Sequence, residues 1–157
     1  MDILLALLGA GSAGGFSTIG TAINAQLKTT LHSPIAAAAI NFLVGLSILT
    51  LLLRLGIFKP FNLDLLFITP WWAFLGGLLG AIFVSLSTLI VPKLGLTTTT
   101  LVVVFSQMFM SMVIDKLGWF GAIKYPITTP KILGIATLVI AILINQLDTN
   151  YSHKNVN

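Results

Sequence analysis

The chain has 157 residues, 57% of them hydrophobic and only 8% charged, with a formal net charge of +4. A soluble domain carries roughly 25% charged residues, so this composition cannot cover a water-facing surface and assigns the chain to the integral membrane proteins. The basic residues stand singly, the pattern of short loops between membrane spans and not of a nucleic-acid interface, and the absence of cysteine excludes disulfides, thiolate chemistry and Cys-bound metals.

A run of about 20 apolar residues crosses a bilayer as a helix. The first such run covers 3–27. It lacks a basic leader region and is too long for a signal-peptide core, so it is expected to be a retained span. Lys28, His32 and Pro34 mark a short loop, and Pro34 suits the first turn of a second span over 34–53, which ends at Arg54. The loop to Pro70 contains the partly apolar "FNLDLLFITP", suited to lie along the interface. A third span covers 71–91 and is followed by Lys93. "TTTT" at 97–100 opens a fourth span, 97–114, which closes at Asp115-Lys116. A turn-rich loop with Gly118, Gly121, Pro126 and Pro130 leads to a fifth span, 131–147, and a polar tail, 148–157, expected to be disordered. None of these runs alternates apolar with polar residues, which excludes barrel strands. The expected fold is an all-α, five-helix transmembrane domain over 1–147.

Within the spans, small residues recur at helical spacing. Gly76 and Gly80, Gly11 and Gly15, and the series Ala37, Asn41, Gly45 each place small side chains on one face where another helix can approach closely. Trp71 and Trp72 read as interface anchors at one end of the third span, with Lys93 reaching back to the headgroups at the other.

Five spans put the termini on opposite sides. Arg54, Lys59, Lys116, Lys124 and Lys131 fall on the N-terminal side, against Lys28, Lys93 and Lys154 on the other. The positive-inside rule favours a cytoplasmic N-terminus by two charges, a bias small enough to be compatible with insertion in both orientations.

No ionisable residue falls near the middle of a span, which disfavours a proton-coupled exporter built on one central carboxylate. Neutral polar groups remain. Ala13, Ser17, Gly20 and Asn24 share a face of the first span; Asn41 sits mid-span in the second; Ser85, Ser87 and Thr88 lie late in the third; Ser106 and Gln107 are central in the fourth, with Gln107 one turn before Ser111. Each can act as a hydrogen bond between helices or line a solute path. Asn24 and Gln107 are the leading path candidates, with Ser17, Asn41 and Ser106 beside them, because an amide offers donors and acceptors to a neutral or zwitterionic solute. His32 is read as a solvated loop residue, and His153 in the tail is assigned no role. There is no nucleophile elbow, zinc-protease or phosphate-loop motif, and Asp2, Asp64, Asp115 and Asp148 are too widely spaced for a catalytic cluster. The chain is therefore not expected to be an enzyme, and no metal or cofactor is expected.

Several stretches resemble the YdcZ-type small bacterial inner-membrane proteins of the drug/metabolite transporter superfamily. They are "INAQL" at 23–27, "NFLVG" at 41–45, "PWWAFLGGLLGAIFV" at 70–84, "VPKLG" at 91–95, "SQ" at 106–107, "GWFG" at 118–121 and "LGIATLVIAILI" at 133–144. Two positions depart from the family pattern: Gly20 stands where members often have glutamine, and Ser106 where they often have glycine. The resemblance implies an exporter of a small organic solute, assembled as antiparallel pairs. Such a pair is either a dual-topology homodimer or a chain with an oppositely oriented homologue, each five-helix half acting as one half of an inverted repeat. On this reading alternating access moves the solute. The rival readings are a small dual-topology ion channel with a neutral polar pore and a non-transporting accessory subunit.

Overall fold

The computed structural model describes residues 3–57 and 64–155 of the chain, with 148–155 described by backbone alone. Lys59 and the first residues of the 61–70 segment lie outside the described residues. Among the described residues, all regular structure is helical. The elements are α1 (Ile3–Leu31), α2 (Pro34–Arg54), a short α3 (Asp64–Ile68), a 3-10 turn (Trp71–Phe74) running into α4 (Leu75–Leu94), α5 (Leu96–Leu117) and α6 (Thr129–Asn155). Five segments are long and apolar enough to cross a membrane: α1, α2, the 3-10 turn with α4, α5, and α6 as far as Leu147. The fold is that of an all-α, multi-pass membrane protein.

The helices overrun the apolar stretches by a few residues. α1 continues through Lys28 to Leu31, and α5 through Asp115 to Leu117. The last four carbonyls of a helix have no partner within it, so extending past the hydrocarbon places those groups where water or headgroups can satisfy them. One segment differs from the sequence expectation more strongly. The polar tail, expected to be disordered from 148, continues α6 to Asn155. Between Ile135 and Asn155 the sequence holds no glycine or proline that would stop a helix already started.

The chain divides into two units, Met1–Lys93 and Leu94–Asn157. In the first, α1 and α2 form a hairpin. His32 turns the chain with φ 53, in the left-handed region where histidine is several-fold enriched. Ser33 then caps α2: its backbone is extended, and its Oγ accepts the Ala36 N–H at 3.1 Å, with Pro34 in the first turn. Ser33→Ala should cost about 1 kcal/mol of stability. A lower denaturation midpoint in detergent, with helix content unchanged, is the expected result; an unshifted midpoint would mean that the hairpin turn does not depend on this cap.

In the second unit, α5 and α6 form the corresponding hairpin. Gly118, with φ 69, ends α5 in the left-handed conformation and donates its N–H to Ile114 O at 2.7 Å. A Cβ at Gly118 would lie 2.8 Å from Lys124 Cγ, so the returning loop packs directly on this glycine. The Tyr125 N–H donates to Asp115 O at 3.0 Å and ties the loop to the end of α5.

The buried residues are small or polar: Asn24, Ala25, Ala37, Ala38, Ser87, Thr88, Thr98 and Thr99. They fall beside the α1–α2 turn and on either side of the α4–α5 junction. This is the composition expected where helices in lipid approach through small side chains, since burying large apolar groups brings no gain when the solvent is itself hydrocarbon.

Candidate functional site

The path candidates divide between the two units. On α1, Asn24 is buried and Ser17 exposed; on α2, Asn41 is exposed; on α5, Ser106 and Gln107 are both exposed. The side chains of Asn24, Asn41 and Gln107 take no part in the hydrogen bonds among the described residues. Within either unit, no two of these candidates are hydrogen-bonded to each other through their side chains.

Hydroxyl and amide groups behave differently here. Ser106 Oγ donates to Val102 O at 2.9 Å, and Ser12, Thr18, Thr21, Ser47, Thr88, Thr99 and Thr137 likewise donate to the carbonyl four residues earlier. A hydroxyl in a helix can satisfy its donor on its own backbone. The amide of Asn41 or Gln107 finds no such partner, and so presents two donors and an acceptor to whatever lies alongside.

The predicted close-approach glycines also separate. A Cβ at Gly80 would lie 3.3 Å from Phe42 Cζ, so α2 and α4 meet there. A Cβ at Gly11, Gly15, Gly45 or Gly76 would meet no atom of its own unit within 4 Å. Trp71 and Trp72 form the start of the 3-10 turn ahead of α4, Trp71 largely exposed and Trp72 less so.

Two interactions in the second unit were not visible in the sequence. Thr98 Oγ1 donates to Asn145 Oδ1 at 2.6 Å, linking the start of α5 to α6. Asp115 Oδ2 accepts from Lys131 Nζ at 3.2 Å, and the same ammonium lies 5.6 Å from the centre of the Tyr125 ring. In the sequence these two charges only mark the end of one span and the start of the next. The available signal was their position: each stands within a turn of the same hairpin end, where a short connection brings its flanks together. Among the described residues no three His, Asp, Glu or Cys side chains come together as a metal site requires.

Five membrane-capable helices whose spans carry almost no charge define a small multi-pass membrane protein. The family description is more specific. The family model described as "Putative inner membrane exporter, YdcZ" matches residues 5–144, and the chain belongs to that family. No curated protein and no solved structure matches the chain.

Proposed function

We propose that the chain is half of a transporter for a small organic solute, working by alternating access as an antiparallel dimer. The supporting observation is the exposure of Asn41 and Gln107 in mid-span. Hydrocarbon cannot satisfy an amide, and each unsatisfied polar group there costs several kcal/mol. These side chains therefore suit a protein neighbour or a water-filled path. An inverted second copy, or an oppositely oriented homologue, would supply that wall, and the open faces at Gly11, Gly15, Gly45 and Gly76 would let it approach closely. Asn24 and Gln107 would line the path, with Ser17, Asn41 and Ser106 beside them, and Trp71 and Trp72 would hold the halves at the interface.

Two measurements test this reading. Proteoliposomes preloaded with a mixture of small metabolites, with the released compounds read by mass spectrometry, should show selective release that the Asn24→Ala, Gln107→Ala double variant loses while still dimerising. Unchanged release would remove both amides from the path. Orientation is tested on a chain that has no cysteine of its own. Ser152→Cys should be labelled by an impermeant reagent partly from each side of the membrane. Labelling from one side alone would rule out a dual-topology homodimer and direct the search to an oppositely oriented homologue.

A further inference from the structure

A cavity of about 160 Å³ opens between α5 and α6, lined by Met108, Ser111, Met112 and Asp115 from α5 and Lys131 and Ile135 from α6. The α5 residues follow the i, i+3, i+4, i+7 spacing of one helical face, and the α6 pair the i, i+4 spacing of another. Its apolar lining is two thioethers and an isoleucine. The charged pair Asp115–Lys131 lies on its wall, neither partner fully buried: 36% of the Lys131 side chain and 31% of the Asp115 side chain remain exposed.

Three details bear on what this cavity takes. First, it is small. Drug-sized ligands occupy pockets from about 300 Å³ upwards, whereas a cavity of about 150 Å³ accepts a benzene-sized molecule. Second, Ser111 differs from Ser106 on the same helix: its hydroxyl takes no part in the hydrogen bonds among the described residues, so it can serve a guest. Third, Lys131 has a second partner. If its bond to Asp115 opens, the ammonium still has the Tyr125 ring 5.6 Å away, a contact worth about 0.5–1 kcal/mol at an exposed site.

We infer that this cavity binds a small zwitterion, an ammonium and a carboxylate on one carbon with a short unbranched apolar body. The guest's ammonium takes Asp115, its carboxylate takes Lys131 and Ser111, and its body lies against Met108, Met112 and Ile135. One ion pair is exchanged for two, and no net charge enters the edge of the membrane, where a lone ion is costly. Thioether side chains are flexible enough to fit several such bodies. The inference names a solute class for the transport reading above and rests on that reading only for its purpose, since binding can be measured without flux.

The test uses three probes that share a body and differ in the head: L-norleucine, n-pentylamine without the carboxylate, and hexanoate without the ammonium. Binding to the purified full chain in detergent is read by saturation-transfer NMR and equilibrium dialysis. Norleucine should bind at least tenfold more tightly than either analogue. Asp115→Asn should reduce norleucine to the level of hexanoate without weakening hexanoate, whose carboxylate then meets Lys131 free of its competitor, and Lys131→Met should reduce norleucine to the level of pentylamine without weakening pentylamine, whose ammonium then meets a free Asp115. A purely structural ion pair would not give that reciprocal pattern. The exchanged double variant, Asp115→Lys with Lys131→Asp, keeps both charges and guards against misfolding; it should retain norleucine binding within about threefold. Equal binding of all three probes, no binding of norleucine, or norleucine binding that survives both single substitutions would each overturn the inference. Norleucine binding without flux of any solute would count against the transporter reading alone, and flux of other solutes without norleucine binding against this inference alone.

Discussion

Gly95→Val lowers stability by about 1–3 kcal/mol, the cost of holding a non-glycine residue in a region of backbone space that only glycine occupies readily. Gly95 is the single residue between α4 and α5, with φ 79 and ψ 162. A β-branched side chain there is a steric outlier. A Cβ at Gly95 would meet no atom within 4 Å, so the expected effect comes chiefly from the backbone dihedrals. The fixed point is useful because Pro92 precedes it within α4 and has no N–H to bond the Thr88 carbonyl, so the last turn of α4 is already short of one hydrogen bond. The denaturation midpoint should fall, and trypsin should cut more readily after Lys93 on the exposed stretch before the junction. A midpoint equal to that of the parent chain would show that α4 can end in another conformation at no cost.

The second large effect is expected at Ala37, whose residue is 0% exposed. Ala37→Leu adds three carbons where small side chains let helices approach, and inserting methylenes into a packed contact costs typically 1–3 kcal/mol. Ala39→Leu, two residues further along on the exposed face of the same helix, is the control. It adds the same atoms toward lipid and should leave stability within about 0.5 kcal/mol. Unfolding in mixed micelles with increasing SDS separates the two. Equal midpoints would mean that α1 and α2 adjust to the larger side chain by moving apart.

The spans were legible because the bilayer imposes a length and forbids charge, two constraints that can be read residue by residue. Their ends were less so. α1 and α6 run past the last apolar residue because helix termination depends on stop signals and on where backbone groups reach water, and hydropathy records neither. The hairpin turn at Ser33-Pro34 was partly anticipated through its proline; the left-handed His32 was not. The candidate site was harder. Asn24, Asn41 and Gln107 can be picked out by chemistry, but Asn24 and Asn41 are not hydrogen-bonded to each other and Gln107 belongs to the other unit. The Asp115–Lys131 pair is sixteen residues apart in sequence. It forms because Gly118 reverses the chain and Tyr125 ties the loop back, a geometry that no motif encodes. Among the small residues, Gly80 meets Phe42 while Gly11, Gly15, Gly45 and Gly76 meet nothing in their own unit. Spacing alone does not say which small residue has a neighbour.

The serine and threonine hydroxyls that bond the carbonyl one turn back bear on biogenesis. A segment leaving the insertion machinery must be acceptable to lipid before its later neighbours exist. Each of these hydroxyls carries its acceptor with it, so it adds little to the cost of moving its helix into the bilayer. The carboxamides of Asn24, Asn41 and Gln107 cannot arrange this for themselves and stay poorly solvated until another helix or water reaches them.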